Sequence, residues 1–108
     1  MQTLKPTEIA EVGEQHVAEW LSENGFINVV KNSSLGGNDA IEANGSIENI
    51  LVHVRTSIKP TSPREINEAD KTLIKSAAEH AGRKAYVAFV VIDDEKKMEG
   101  EISWQRLS

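Results

Sequence analysis

The chain predicts an α/β fold, a mixed sheet covered by helices, and three observations carry that expectation. Residues 7–24 and 66–81 repeat apolar side chains at helical spacing. Residues 26–31, 39–43, 50–56, 84–92 and 99–107 are short and read as strands. The resulting order is helix, three strands, helix, two strands, and a helical crossover after three meandering strands places parallel and antiparallel neighbours in one sheet. At 108 residues the sequence is long enough for one core, so a single domain spanning residues 1–108 is expected.

Thr7 is the expected N-cap of the first helix, with Glu8 and Glu11 complementing its dipole. Ile9, Ala10, Gly13, Val17, Trp20 and Leu21 form its apolar stripe, and Glu14 lies at the margin. A mid-helix glycine costs about 1 kcal/mol relative to alanine, so Gly13 implies a close approach to a sheet. Asn24-Gly25 ends the helix. Residues 26–31 form a strand, and residues 32–38 a polar, glycine-rich loop.

The centre of the pattern is residues 36–57. Asp39 opens a strand on the face shared with Ile41 and Ala43. Asn44-Gly45 predicts a two-residue type I′ hairpin, and residues 50–56 return as a buried central strand. Ile50, Val52 and Val54 point to one face of that strand, and Leu51, His53 and Arg55 to the other. A histidine and an arginine on a buried strand need partners. Lys59-Pro60-Thr61-Ser62-Pro63 is a connection, because proline removes strand donors. The second helix carries Ile66, Leu73, Ile74, Ala77 and Ala81 as its buried stripe and stops at Gly82. Asp70 lies near that stripe and is read as a cap or first-turn carboxylate, while Lys71 and Lys75 point away from it. Tyr86, Val87, Phe89, Val90 and Val91 belong to a fully buried strand; in the last strand Ile102 and Trp104 share a face. Trp20 and Trp104 are read as core, His16 and His80 as surface.

With no cysteine, the chain can form neither disulfides nor thiolate metal sites. No signal peptide or membrane span is visible, which predicts a soluble, cytoplasmic protein with no membrane partner. The net charge of −5 argues against a broad basic field for nucleic acid. That charge is uneven: residues 1–54 hold two basic and eight acidic side chains, residues 55–108 ten and nine. A local basic patch around Arg55, Lys59, Arg64, Lys71 and Lys75 is compatible with this division, as is an ordinary solvated helix face.

In element order and motif position the chain resembles the PD-(D/E)xK restriction-endonuclease-like superfamily, in particular its small members akin to archaeal Holliday-junction resolvases. The resemblance spans residues 7–107. It rests on Gly13-Glu14, Ala18 and Trp20-Leu21 in the first helix, on Gly25-Phe26, on Gly37 and Asp39 before Ile41, and on Val52-His53-Val54-Arg55-Thr56. At that last place the family pattern reads Glu-Val-Lys-Thr. The resemblance implies a restriction-endonuclease-like αβββαββ sandwich with a mixed central sheet. In the family, Asp and Glu at adjacent strand ends hold Mg²⁺, a hard cation that takes oxygen ligands. A lysine steadies the attacking water or the developing charge, and a helix glutamate completes the shell. Carried across, the catalytic positions are Glu14, Asp39, His53 and Arg55, with Asp39 and His53 as the metal ligands.

His53 and Arg55 depart from the pattern. Neutral imidazole in place of a carboxylate weakens a site for Mg²⁺ and shifts preference toward Mn²⁺ or Zn²⁺. Arginine can clamp a phosphate but cannot act as a base. The expected function is therefore that of a nuclease-fold protein with a degenerate site. Such a protein would bind DNA or another nucleic acid through Arg55, Lys59 and Arg64, or serve an assembly role, with weak or absent phosphodiester cleavage. Two alternatives stay open: an active metal-dependent DNA endonuclease using Glu14, Asp39 and His53 with Mg²⁺ or Mn²⁺, and a non-catalytic protein-interaction module. The resemblance also implies a homodimer, with the last strand and Trp104 as a usable edge.

Overall fold

Helix α1 (Pro6–Glu23) opens the fold, and its first residue explains where it begins. Proline at N1 has the helical φ built in and gives up only an N–H that would have been orphaned anyway. Lys5 is therefore the N-cap, with extended φ and ψ and no side-chain cap bond, and Thr7, the expected cap, lies inside the first turn. The computed structural model describes residues 4–35 and 38–107, and the side chains of all of these except 32–35 and 38–39. At the other end of α1, Gly25 takes φ +90° and the Phe26 N–H donates to the Leu21 carbonyl at 3.0 Å. The second helix ends the same way: Gly82 takes φ +69° and the Arg83 N–H donates to the Ala78 carbonyl at 2.7 Å. Both are left-handed glycine closures that satisfy carbonyls the last helical turn leaves open.

Five strands follow in the order β1 (Ile27–Leu35), β2 (Asn38–Asn44), β3 (Asn49–Ile58), β4 (Lys84–Ile92) and β5 (Ser103–Arg106), and they lie in that same order across one sheet. Helix α2 (Glu68–His80) crosses between β3 and β4, which run parallel; the other neighbours are antiparallel. The expected mixed α/β architecture is thus present. Two local expectations are not. The loop expected at residues 32–38 is mostly strand, because β1 runs through residue 35 and β2 resumes at 38. The irregularity appears instead as register shifts between Ile27 and Val30 and between Asn32 and Leu35, with Asn28 at φ +52° inside the first.

The type I′ hairpin is also absent. Asn44 pairs with Asn49, residues 45–48 make the turn, and the Gly45 N–H donates to the Glu48 carbonyl at 3.0 Å. Neither Asn44 nor Gly45 has positive φ. Glycine is required there by space: a Cβ on Gly45 would stand 2.7 Å from the Glu48 carbonyl and 2.8 Å from the Phe26 ring.

The sheet carries a core on each face, as the strand period demands. Val17 and Leu21 of α1 pack on Ile41, Ala43, Ile50, Val52, Ala88 and Val90. Ile66 with Ile74 and Ala78 of α2 packs on Ala40, Leu51, Ala85 and Val87. Where α1 crosses β3, a Cβ on Gly13 would lie 1.7 Å from the Thr56 hydroxyl, so the close approach inferred for this glycine is real. Trp20 and Ala10, expected on the buried stripe, are exposed, whereas Glu14 is only 7% exposed.

Helix α2 is turned relative to expectation. Ile74 and Ala78 are its buried residues, and Leu73 and Ala81 are exposed. This rotation lowers Asp70 and Lys71 toward the sheet instead of leaving Lys71 in solvent. The N-cap is Asn67, whose side chain accepts from the Asp70 N–H at 2.8 Å, so Asp70 is a first-turn carboxylate. The last strand is shorter than residues 99–107, although Ile102 and Trp104 do pack on the α1 side together. Among the described residues no helix is long and apolar enough to cross a membrane.

Candidate functional site

His53 and Arg55 lie two residues apart on β3 and share the face covered by α2, as the strand parity required. His53 is 4% exposed and stands between Ala40 on β2 and Val87 on β4. Arg55, beside Phe89, reaches α2, where its guanidinium donates to the Asp70 carboxylate at 3.1 Å. Both side chains are about 30% exposed, at 30% and 28%, so the pair is partly desolvated. The buried Nε of Arg55 has no hydrogen-bond partner among the described residues. A lysine at this position would present one rotatable point charge; the planar fork of arginine fixes the direction from which a carboxylate or phosphate can be met.

Glu14 is on the other side of the sheet. It belongs to α1, and its carboxylate pairs with the Lys31 ammonium of β1 at 2.7 Å. The carboxylate end is 8% exposed and the lysine 46%, so a solvent-facing cation from the sheet edge compensates a buried acid. Together with Glu11, Gln15, Val29 and Ile41 the two line a cleft of about 290 Å³. The backbone of Asp39 is in β2, immediately before Ala40; its side chain lies outside the described residues. The structure therefore brings His53 and Arg55 to one face and Glu14 to the opposite one.

Lys59 and Arg64 belong to the connection after β3, on the same end of the sheet as Arg55. Arg64 is exposed. Lys59 faces Glu99 at 3.6 Å, and Lys71 meets Glu68 at 3.2 Å one turn back along α2. Three of the five cations expected to form a basic patch, Arg55, Lys59 and Lys71, thus have carboxylate partners. Lys75 is exposed on α2.

Two features were not legible in advance. Asp70 as the partner of Arg55 follows from the turn of α2; the available signal was its position near the stripe of a helix bound to cover the odd face of β3. The other feature is a polar and aromatic group at the β5 edge. The Tyr86 hydroxyl donates to Glu48 at 2.5 Å, and Arg106 grips both Glu48 oxygens at 3.2 Å and the tyrosine oxygen at 2.7 Å. The hydrogen bond from Tyr86, aided by the charge of Arg106, holds the Glu48 carboxyl below the usual range. Burial, followed by the negative charge and acceptor of Glu48, pushes the Tyr86 phenol up.

The Mg²⁺ that the resemblance implies needs converging oxygen ligands in a near-octahedral shell. Glu14 and His53 project to opposite faces, and the carboxylate nearest Arg55 is already engaged by it. The described donors do not fit such a shell. A scan of the chain against protein-family models finds no match, and a search of curated proteins finds none either.

Proposed function

We propose that this protein is a restriction-endonuclease-like αβββαββ domain whose catalytic pattern has been given over to internal ion pairing, and that it binds nucleic acid without cutting it. The observation that carries the reading is the Arg55–Asp70 pair. At the position where the family pattern has lysine, a fork-shaped cation is tied to α2 at 3.1 Å, on the face of the sheet away from Glu14. The element order, the parallel β3–β4 pair and the β2–β3 hairpin support the resemblance. Phosphates would be met by Arg64 and Lys59 on the exposed connection, with Arg55 behind them.

The test has two parts. Branched, single-stranded and duplex DNA incubated with Mg²⁺ or Mn²⁺ is expected to show no cleavage above an Asp39→Ala control; cleavage above that control refutes the reading. Affinity for the same DNA is expected to fall with salt at a log–log slope of about −2 to −3, since each neutralised phosphate contributes about −0.9. Lys59→Ala and Arg64→Ala should each flatten that slope by about one. A slope near zero would replace nucleic-acid binding with a protein-interaction or assembly role.

A further inference from the structure

The dipeptide Asn-Gly occurs twice in the chain, at Asn24-Gly25 and at Asn44-Gly45. Asn-Gly is open to a reaction that needs no enzyme: the glycine backbone nitrogen, once deprotonated, attacks the asparagine Cγ, and no glycine side chain hinders it. The attack requires the peptide between the two residues to swing toward the asparagine side chain. Space and hydrogen bonding around each pair therefore decide whether it happens in the folded protein.

Asn44-Gly45 is held on every side. Asn44 ends β2, flanked by Ile27 of β1 and Asn49 of β3. Arg83 Nη1 donates to the Asn44 Oδ1 at 3.0 Å and to the Ala43 carbonyl at 3.1 Å, which fixes side chain and backbone together. The Gly45 N–H, whose nitrogen would attack, donates to the Glu48 carbonyl at 3.0 Å. That carbonyl and the Phe26 ring also fill the space a turning peptide would need, standing 2.7 and 2.8 Å from the place of a Gly45 Cβ. Asn24-Gly25 is the opposite case. Both residues are exposed just beyond α1. A Cβ on Gly25 would meet nothing within 4 Å, and the Gly25 N–H has no acceptor among the described residues. A single bond holds the Asn24 side chain, from Nδ2 to the Trp20 carbonyl at 2.7 Å. It caps a helix end, where structure opens at the least cost.

We propose that Asn24 is a site of spontaneous deamidation in the folded protein and that the fold protects Asn44 from the same reaction. The Gly25 nitrogen bonds to the Asn24 Cγ, the Cγ–Nδ2 bond breaks, and Nδ2 leaves as ammonia with the proton the Gly25 nitrogen gave up. Water then opens the cyclic imide: addition at Cγ gives aspartate, and addition at the Asn24 backbone carbonyl gives isoaspartate. Either product carries a carboxylate in place of the amide, so the bond to the Trp20 carbonyl is lost. The new negative charge also sits at the negative end of α1, whose last turn holds no basic residue. The end of α1 is thereby loosened.

The full chain is kept for weeks in neutral buffer, with a parallel sample in urea, and the amide-to-acid mass change is followed in the peptide that contains each Asn-Gly. In the folded chain Asn24 should react at least about tenfold faster than Asn44, and in urea the two rates should agree within about threefold. Arg83→Met should raise the Asn44 rate several-fold and leave the Asn24 rate where it was. Asn24→Asp should lower the urea midpoint. Equal rates in the folded chain overturn the proposal, and so does a ratio that persists in urea, since the neighbouring sequence and not the fold would then set it. An Asn44 rate unmoved by Arg83→Met, or both rates rising together, overturns the protection assigned to Arg83; an unchanged midpoint in Asn24→Asp overturns the loosening of α1.

Discussion

Gly13 shows how one position can be read in the sequence and then measured. Its cost in helix propensity pointed to close packing, and the Thr56 hydroxyl occupies the space a methyl group would need. Gly13→Ala should gain about 1 kcal/mol of propensity and lose about 1–3 kcal/mol to overpacking. With a contact as short as 1.7 Å the loss wins, and the urea midpoint falls; Thr56→Ala in the same chain should restore part of it. Arg55 was legible as a buried-strand cation needing a partner, but the partner was not. Choosing Asp70 required knowing the rotation of α2, and Leu73 as a presumed core residue set that rotation wrongly. A double-mutant cycle with Arg55→Met and Asp70→Asn should give a coupling of about 1 kcal/mol, the value suited to a partly exposed pair. A coupling indistinguishable from zero would leave the pair without an energetic role.

At the scale of elements, the helices were recovered because apolar spacing and glycine stops survive any tertiary arrangement. Their starts were less visible. Pro6 outranked Thr7 at α1, and the resulting N-cap, Lys5, makes no side-chain bond. Lys5→Ser would place serine three residues before Glu8, the arrangement of a capping box, and should stabilise the protein by about 1 kcal/mol in chemical denaturation. Asn67→Ala at α2, where the cap bond to the Asp70 N–H is formed, should cost about 1 kcal/mol by the same measure. The hairpin was located correctly and typed wrongly: Asn-Gly is a signal for positive φ, while here the glycine answers to the Phe26 ring and the Glu48 carbonyl. Residues 32–34, Asn-Ser-Ser, read as loop because composition cannot reveal that their backbone pairs with a neighbouring strand.

Over the whole molecule, alternation along β3 is enough to separate the two cores, yet it does not say which helix takes which face. That assignment puts Glu14 and Arg55 on opposite sides. The Glu48–Tyr86–Arg106 group ties the 45–48 turn to β4 and β5, and its titration should be visible in global stability. Folded Glu48 gives up its proton more readily than the unfolded chain does, so its contribution is complete above the ordinary glutamate pKa of about 4.3 and is lost as pH falls through the depressed folded value. Asp93, held down by the backbone N–H groups of Lys97 and Glu95, acts in the same direction. Folded Tyr86 keeps its proton more tightly, so its contribution is complete below about pH 10 and lost above it. Urea midpoints should be level between about pH 5 and 9 and fall on both sides; Glu48→Gln should flatten the acid limb and Tyr86→Phe the alkaline one. The parallel seam of β3 against β4 joins nine residue pairs across the middle of the sheet, and the covalent link between its two halves runs through an exposed segment bearing Arg64. A tryptic nick after Arg64 would therefore sever the chain without parting it: the two fragments should co-elute on a sizing column and come apart only in denaturant.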